Sequence, residues 1–296
     1  MSRREAVTLA VISSILSSIA WIFQGEAVRE LSPLAVASVQ GILTGLIYLF
    51  HLAHSNRAFP WRSIRSNWRM LLQFVLLRNF LASILVCTAL LLSDSIKIMF
   101  FTKLEPYFVL FWAWLCAGQK ITRSHAALLA VHIGGAVLLS TGGRVDMSFS
   151  QAGDIMIICA IGILSWSYLK AAALSQEVGP FDLNGISGFA GGLLLLPFAL
   201  VSVPSSVWHF SSPGWLHVVI VVLLFNVFGM TMWYAVLPHL EGWLVSALRA
   251  IGPVFAAPLA WTFFGQRMGA GNVIGGMIVL VTSVLLTRAP VSLPSE

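Results

Sequence analysis

The sequence predicts an all-α integral membrane protein, with ten transmembrane helices arranged as two inverted five-helix repeats and both termini in the cytoplasm. Three observations lead there. The 296 residues are 58% apolar and only 9% charged, whereas a soluble domain runs near 45–50% apolar and about 25% charged. Apolar runs recur from end to end, each of about 20 residues and so able to cross a hydrocarbon core about 30 Å thick at 1.5 Å per residue. Sliding the chain by 147 residues superimposes one half on the other without a gap.

Breaks at Pro, Gly and charged residues place the spans near 6–25, 33–53, 70–92, 96–117 and 124–141, then 152–174, 183–203, 214–236, 243–264 and 270–287. Helix is the required state, because an open strand edge in lipid leaves backbone groups unpaired. Arg3 and Arg4 before the first span imitate a signal peptide, but the apolar stretch from about Ala6 to Phe23 carries no A-x-A cleavage pattern, so it is read as a retained helix. The second span carries Gly41 and Gly45, and the seventh Gly188 and Gly192, small-x-x-x-small pairs suited to close packing. The third follows an arginine-rich loop and contains Arg78 and Asn79, while the fourth holds Lys103, Glu105 and Pro106. In the second half, the sixth span carries Trp166 and Tyr168, the eighth Asn226, and the ninth Arg249 and Pro253.

The repeat divides the chain into residues 1–147 and 148–296. Pro33 falls on Pro180, Gly41 on Gly188, Gly45 on Gly192, Asn79 on Asn226, Pro106 on Pro253 and Trp114 on Trp261. Five helices per half is an odd number, so the copies must lie in opposite senses. Loop charges agree. Arg3, Arg4, Arg57, Arg62, Arg65, Arg69, Lys120, Arg123, Lys170 and Arg288 fall on one side, against Arg29, Lys97, Arg144 and Arg267 on the other. Positive-inside bias makes the first side cytoplasmic.

This arrangement resembles the drug/metabolite transporter superfamily, EamA type: each half has a central Pro and a W-x-x-x-G-[E/Q]-[K/R] helix end, Trp114 to Lys120 and Trp261 to Arg267. The resemblance implies a multi-pass permease of the plasma membrane, bacterial inner membrane by type, that exports small molecules. The family ordinarily has Glu after that Gly, whereas both copies here have Gln, at Gln119 and Gln266. No carboxylate chemistry is therefore carried over to those ends.

Composition excludes other classes. The net charge of +6 resides in short loops, a topological pattern and not a nucleic-acid face. Cys87, Cys116 and Cys159 show no disulfide or zinc spacing, and His51 with His54 has no third ligand nearby. Residues 185–188, GISG, have the form of a rhomboid serine motif, but His132 precedes Ser187, the wrong order. No enzyme, metal or cofactor is expected, and no ring of charges argues for a channel.

A charge near the bilayer centre costs roughly 2.5–3.5 kcal/mol, so Arg78, Lys103, Glu105 and Arg249 are the candidate substrate residues. Lys103 and Glu105, two apart, point to nearly opposite sides of one helix. Glu105 is expected to pair with Arg78 from the neighbouring third helix, leaving Lys103 and Arg249 for the substrate. Pro106 and Pro253 remove backbone donors and mark hinge points, with a cation beside each. Asn79, Asn226, Trp21, Gln24, Trp166 and Tyr168 complete the candidate lining. Three cations against one carboxylate point to an amino acid or related organic anion, or a phosphate. Glu105 would balance Arg78 or bind an ammonium group or a proton. A broad-specificity efflux permease for drugs or neutral metabolites is the alternative.

Overall fold

The computed structural model describes residues 1–55, 57–92, 101–118, 122–143, 152–209, 212–256, 262 and 269–288. Among them every regular element is helical and no strand occurs. Seven helices are long and apolar enough to cross a membrane: Arg3–Glu30, Pro33–His54, Trp68–Leu90, Ala152–Val178, Pro180–Ser202, Pro213–Val236 and Ala270–Arg288. They coincide with predicted spans one, two, three, six, seven, eight and ten. Span five is met by the helix Arg123–Thr141, and spans four and nine are met within the described residues by shorter pieces. Gln119, Lys120, Gln266 and Arg267, together with Trp261, Lys97 and Arg144, lie outside the described residues.

The elements are α1 (Arg3–Glu30), α2 (Pro33–His54), α3 (Trp61–Ser66), α4 (Trp68–Phe74), α5 (Ala82–Leu92), α6 (Glu105–Ala117), α7 (Arg123–Thr141), α8 (Ala152–Val178), α9 (Pro180–Ser202), α10 (Pro213–Val221), α11 (Met230–Val236), α12 (Gly242–Leu248) and α13 (Ala270–Arg288). Local chemistry sets several of their ends. Ser2 and Glu5 form a capping box at α1, with the Ser2 N–H donating to Glu5 at 2.8 Å. Proline stands in the first turn of α2, α9 and α10, where its missing N–H has no helical partner to lose. Gly118 closes α6 at φ 63°, a left-handed position that glycine adopts without a Cβ clash.

A π-helical turn, Val75–Leu81, joins α4 to α5, and another, Val222–Gly229, joins α10 to α11. They begin 147 residues apart, the offset of the sequence repeat. Each holds an Asn, Asn79 or Asn226, and the first also holds Arg78. A π-turn widens the helix by one residue and frees backbone groups, which is tolerated in lipid only where other partners satisfy them. The Asn226 carbonyl accepts from Asn184 Nδ2 of α9, and the Gly229 carbonyl accepts from Ser13 of α1 at 2.7 Å.

Helices that the offset equates pack on each other. In the α2–α9 pair, Tyr48 meets Gly185, Thr44 meets Gly188, and Gly41 and Ser38 meet Gly192. The numbers rise on one helix as they fall on the other, so the pair runs antiparallel. The α7–α13 pair does the same, with Gly135 against Ile278, Leu139 against Gly275 and Gly142 against Gly271. Both contacts depend on absent side chains. A Cβ on Gly41 would lie 2.6 Å from the Gly188 carbonyl oxygen, and one on Gly275 would lie 2.6 Å from that of Gly135. Van der Waals approach of backbones replaces the hydrophobic effect, which lipid does not supply between helices.

Between these pairs, α1 packs against α10, the second π-turn and α11, while α8 packs against α5 and α6. Ser14, Ser17, Ala20 and Ala27 of α1 are buried in that contact side of the bundle, and Ala160, Ser165, Ser167 and Ala171 are buried on α8. Small residues at these positions let the central helices approach one another.

Candidate functional site

The charged candidates converge where α6, α8, α11, α12 and the first π-turn meet. The chain turns at Lys103 and Leu104, and α6 then restarts at Glu105 with Pro106 in its first turn. This delivers Glu105 to the N-terminal end of a helix, where a carboxylate is favoured by the backbone dipole. Its copy, Pro253, follows a 3-10 turn at Arg249–Ile251. Both prolines therefore sit just after a break in regular α-helix, with a cation in each break.

Glu105 Oε1 lies 3.8 Å from Arg249 Nη1, and Glu105 Oε2 accepts from the Ser246 hydroxyl at 3.0 Å. The side chains of Arg249 and Glu105 remain 27% and 17% exposed, so the ion pair is not sealed. Arg249 also donates to the Tyr168 hydroxyl at 3.4 Å. Tyr168 in turn stands edge-on to Trp233, with ring centroids 4.6 Å apart.

Trp233 is the hub. Arg249 Cζ lies 5.8 Å from its ring centroid and Arg78 Cζ 5.0 Å from it. Two guanidiniums thus share one indole, each attracted by the negative face of the ring. Arg78 donates to Ser167 of α8 at 2.6 Å and also lies near the rings of Phe74 and Tyr234. Trp233 is only 2% exposed, and its Nε1 donor has no acceptor among the described residues.

The expected Arg78–Glu105 pair is not formed; Arg249 and Ser246 hold the glutamate instead. The reason is packing. Both α5 and α6 pack against α8, and Arg78 is directed to Ser167 of that helix. Arg249, expected to lack an anion, has Glu105. Lys103 has no hydrogen bond or ion pair within 4.0 Å among the described residues.

The remaining candidates stand apart from this cluster. Gln24 accepts from Gln40, tying α1 to α2. Trp166 carries Lys170 over its ring at 5.5 Å, one helical turn along. Asn79 fits against Gly191 of α9, and Asn226 meets Asn184 through its carbonyl. Trp21, the repeat equivalent of Tyr168, is 54% exposed and stands edge-on to Phe225, the equivalent of Arg78. One half of the molecule thus places a cation where the other places an aromatic ring.

Trp233, Tyr234 and Ser246 are absent from the sequence candidates. Nothing in their spacing distinguishes them from other apolar or small residues of a membrane helix, and only the fold brings them to the arginines.

An EamA-like transporter family model matches residues 4–141 and again residues 151–288. A pseudopaline exporter of Pseudomonas aeruginosa (strain UCBPP-PA14) is 23% identical over 188 residues, which is 62% of this chain and 63% of that protein. An uncharacterized transporter of Archaeoglobus fulgidus is 26% identical over 187 residues, again 62% of this chain and 63% of its own length. The chain thus aligns with somewhat less than two thirds of each relative. A solved crystal structure superposes with a TM-score of 0.82 over 97% of this chain and 99% of the other, at 16% identity, a likeness of fold.

Proposed function

The chain belongs to the EamA-like transporter family, and from that membership we propose that it is a ten-helix secondary transporter exporting a small anionic metabolite by alternating access. It is a multi-pass protein of the plasma membrane and a transporter rather than an enzyme. The proposal concerns architecture, direction, substrate and site.

The two family matches start at residues 4 and 151 and support two repeats, 1–147 and 148–296, as the structural units. Antiparallel packing of equated helices, Gly41 on Gly192 and Leu139 on Gly275, favours their inversion. Both termini are then cytoplasmic, in keeping with the loop charges. The substrate site lies between the repeats, as in other transporters built from inverted halves, with Pro106 and Pro253 as bend points.

The observation that carries the substrate reading is the pair of arginines on Trp233. Each guanidinium has five N–H donors, yet Arg78 spends one on Ser167, and Arg249 makes one long hydrogen bond and a loose ion pair. Donors left over in a partly accessible site suit a carboxylate or phosphate, which arginine binds through two parallel hydrogen bonds. An amino acid or related organic anion fits, with Glu105 available to its ammonium group or to a coupling proton. The pseudopaline exporter among the relatives favours the outward direction.

The second reading, efflux of neutral or drug-like metabolites, draws on exposed Trp21, which stands edge-on to partly buried Phe225. Efflux from proteoliposomes of the full chain decides between them. Amino acids and organic acids are expected to be carried, with Arg249→Gln abolishing the flux; transport of neutral drugs alone, indifferent to Arg249→Gln, overturns the anion reading.

A further inference from the structure

We infer that the transported molecule presents two separate anionic groups, one to Arg78 and one to Arg249, and is a short dicarboxylate or a molecule ending in two carboxylates. This rests on the cluster being the substrate site and narrows its ligand.

The charge balance is the first argument. Arg78 and Arg249 share the Trp233 ring, Lys103 stands two residues before Glu105, and Glu105 is the single carboxylate among the described residues of the cluster. Four other acidic groups are engaged elsewhere at helix ends: Glu26 with Arg29, Glu30 with the start of α10, Asp182 with Arg57, and Glu241 with Arg3. Among the described residues of this cluster, cations therefore exceed carboxylates by two. Cation–π contact orients a guanidinium but does not neutralise it, and desolvated charge persists only when paired or hydrated. One monoanion would remove half of the surplus; two anionic groups remove it all.

Geometry gives the second argument. The two guanidiniums are anchored separately, Arg78 by Ser167 and Arg249 by Glu105 and Tyr168, so each can hold its own carboxylate with the N–H groups its anchor leaves free. They nevertheless share the Trp233 ring at 5.0 and 5.8 Å, within the span of a short chain bearing an acid at each end. The Trp233 Nε1–H, buried without an acceptor, offers a further donor at the same ring. A phosphate monoester, which places both charges on one group, is the competing ligand that the binding test includes.

The test is ligand binding to the purified full-length protein by calorimetry, using succinate, glutarate and adipate, the monomethyl ester of each, and glycerol phosphate. At least one diacid is expected to bind about 10- to 100-fold more tightly than its monoester, the worth of a charge-assisted hydrogen bond. Arg78→Gln should cut the preference for diacid over monoester to within about threefold, and gel filtration checks that the variant is folded. Equal binding of diacid and monoester, with both lost in Arg249→Gln, overturns the two-anion inference and leaves the site standing. Tightest binding by glycerol phosphate, or binding of no diacid at millimolar concentration, also overturns it. Diacid binding unchanged in both arginine variants removes the site itself.

Discussion

Ser14 of α1 closes the backbone gap beside Arg249. Its hydroxyl donates to the Arg249 carbonyl at 2.9 Å and accepts from the Gly252 N–H at 3.0 Å. Pro253 cannot supply the N–H that would ordinarily reach that carbonyl. One side chain from the other half of the molecule therefore stabilises the break that positions the site cation.

Ser14→Ala leaves a buried carbonyl and N–H without this partner, at a cost of about 1–3 kcal/mol. A lowered melting temperature in detergent and a reduced export rate are expected. Ser14→Thr, which keeps the hydroxyl, should restore part of both. An unchanged melting temperature in Ser14→Ala would show that the break is held by other contacts.

The glycines of α2 and α9 are not equivalent in what they tolerate. A Cβ on Gly41 or Gly192 meets backbone atoms at 2.6 Å, whereas one on Gly188 meets the Thr44 side chain at an ordinary 3.5 Å. Gly41→Ala and Gly192→Ala should each destabilise by roughly 1–3 kcal/mol through overpacking, and Gly188→Ala should be near neutral. Folded yield and thermal unfolding of the three variants test this ranking.

Glu105→Gln removes the charge opposite Arg249 while retaining an oxygen that can accept from Ser246. If Glu105 carries the coupling proton, transport in this variant loses its dependence on a proton gradient but continues down a substrate gradient. Proteoliposome flux with and without an imposed pH difference measures it. A gradient requirement that survives the substitution removes Glu105 from proton transfer.

Two ion pairs link the halves at one end of the bundle, Arg3 to Glu241 at 3.4 Å and Arg57 to Asp182 at 3.7 Å. At the other end the Glu30 carboxylate accepts from the Gly214 N–H at 2.7 Å and from Ser212 at 2.9 Å. If the termini are cytoplasmic, as proposed, single cysteines at Arg57 and Ser212, in a chain freed of Cys87, Cys116 and Cys159, should react with an impermeant maleimide from opposite sides. Labelling of the Arg57 position from outside intact cells would reverse the orientation.

Much of the helical architecture was legible before any coordinates, because the bilayer leaves so few options. Long apolar runs must be helices, and an offset of 147 residues that aligns Pro106 with Pro253 and Asn79 with Asn226 needs no contact information. The deep charges were equally visible, since Arg78, Lys103, Glu105 and Arg249 stand out against lipid-compatible neighbours. Their partners were not. Pairing depends on which helix lies beside which, and α8 came to flank both α5 and α6, so Arg78 met Ser167 and Glu105 met Arg249. The π-turns also escaped notice, because a one-residue widening leaves no mark on an apolar sequence.

Trp233 shows where the division falls. By sequence it is one more aromatic residue on a membrane helix, a residue type equally suited to lipid, core or interface. Tertiary packing alone set it between Arg78, Arg249 and Tyr168. Sequence determined that this is a helical membrane protein with costly buried charges, since solvation energy is a property of each residue in its segment. Which groups neutralise those charges, and which ring they share, only the folded structure decided, because electrostatic and aromatic contacts depend on distances between segments far apart in the chain.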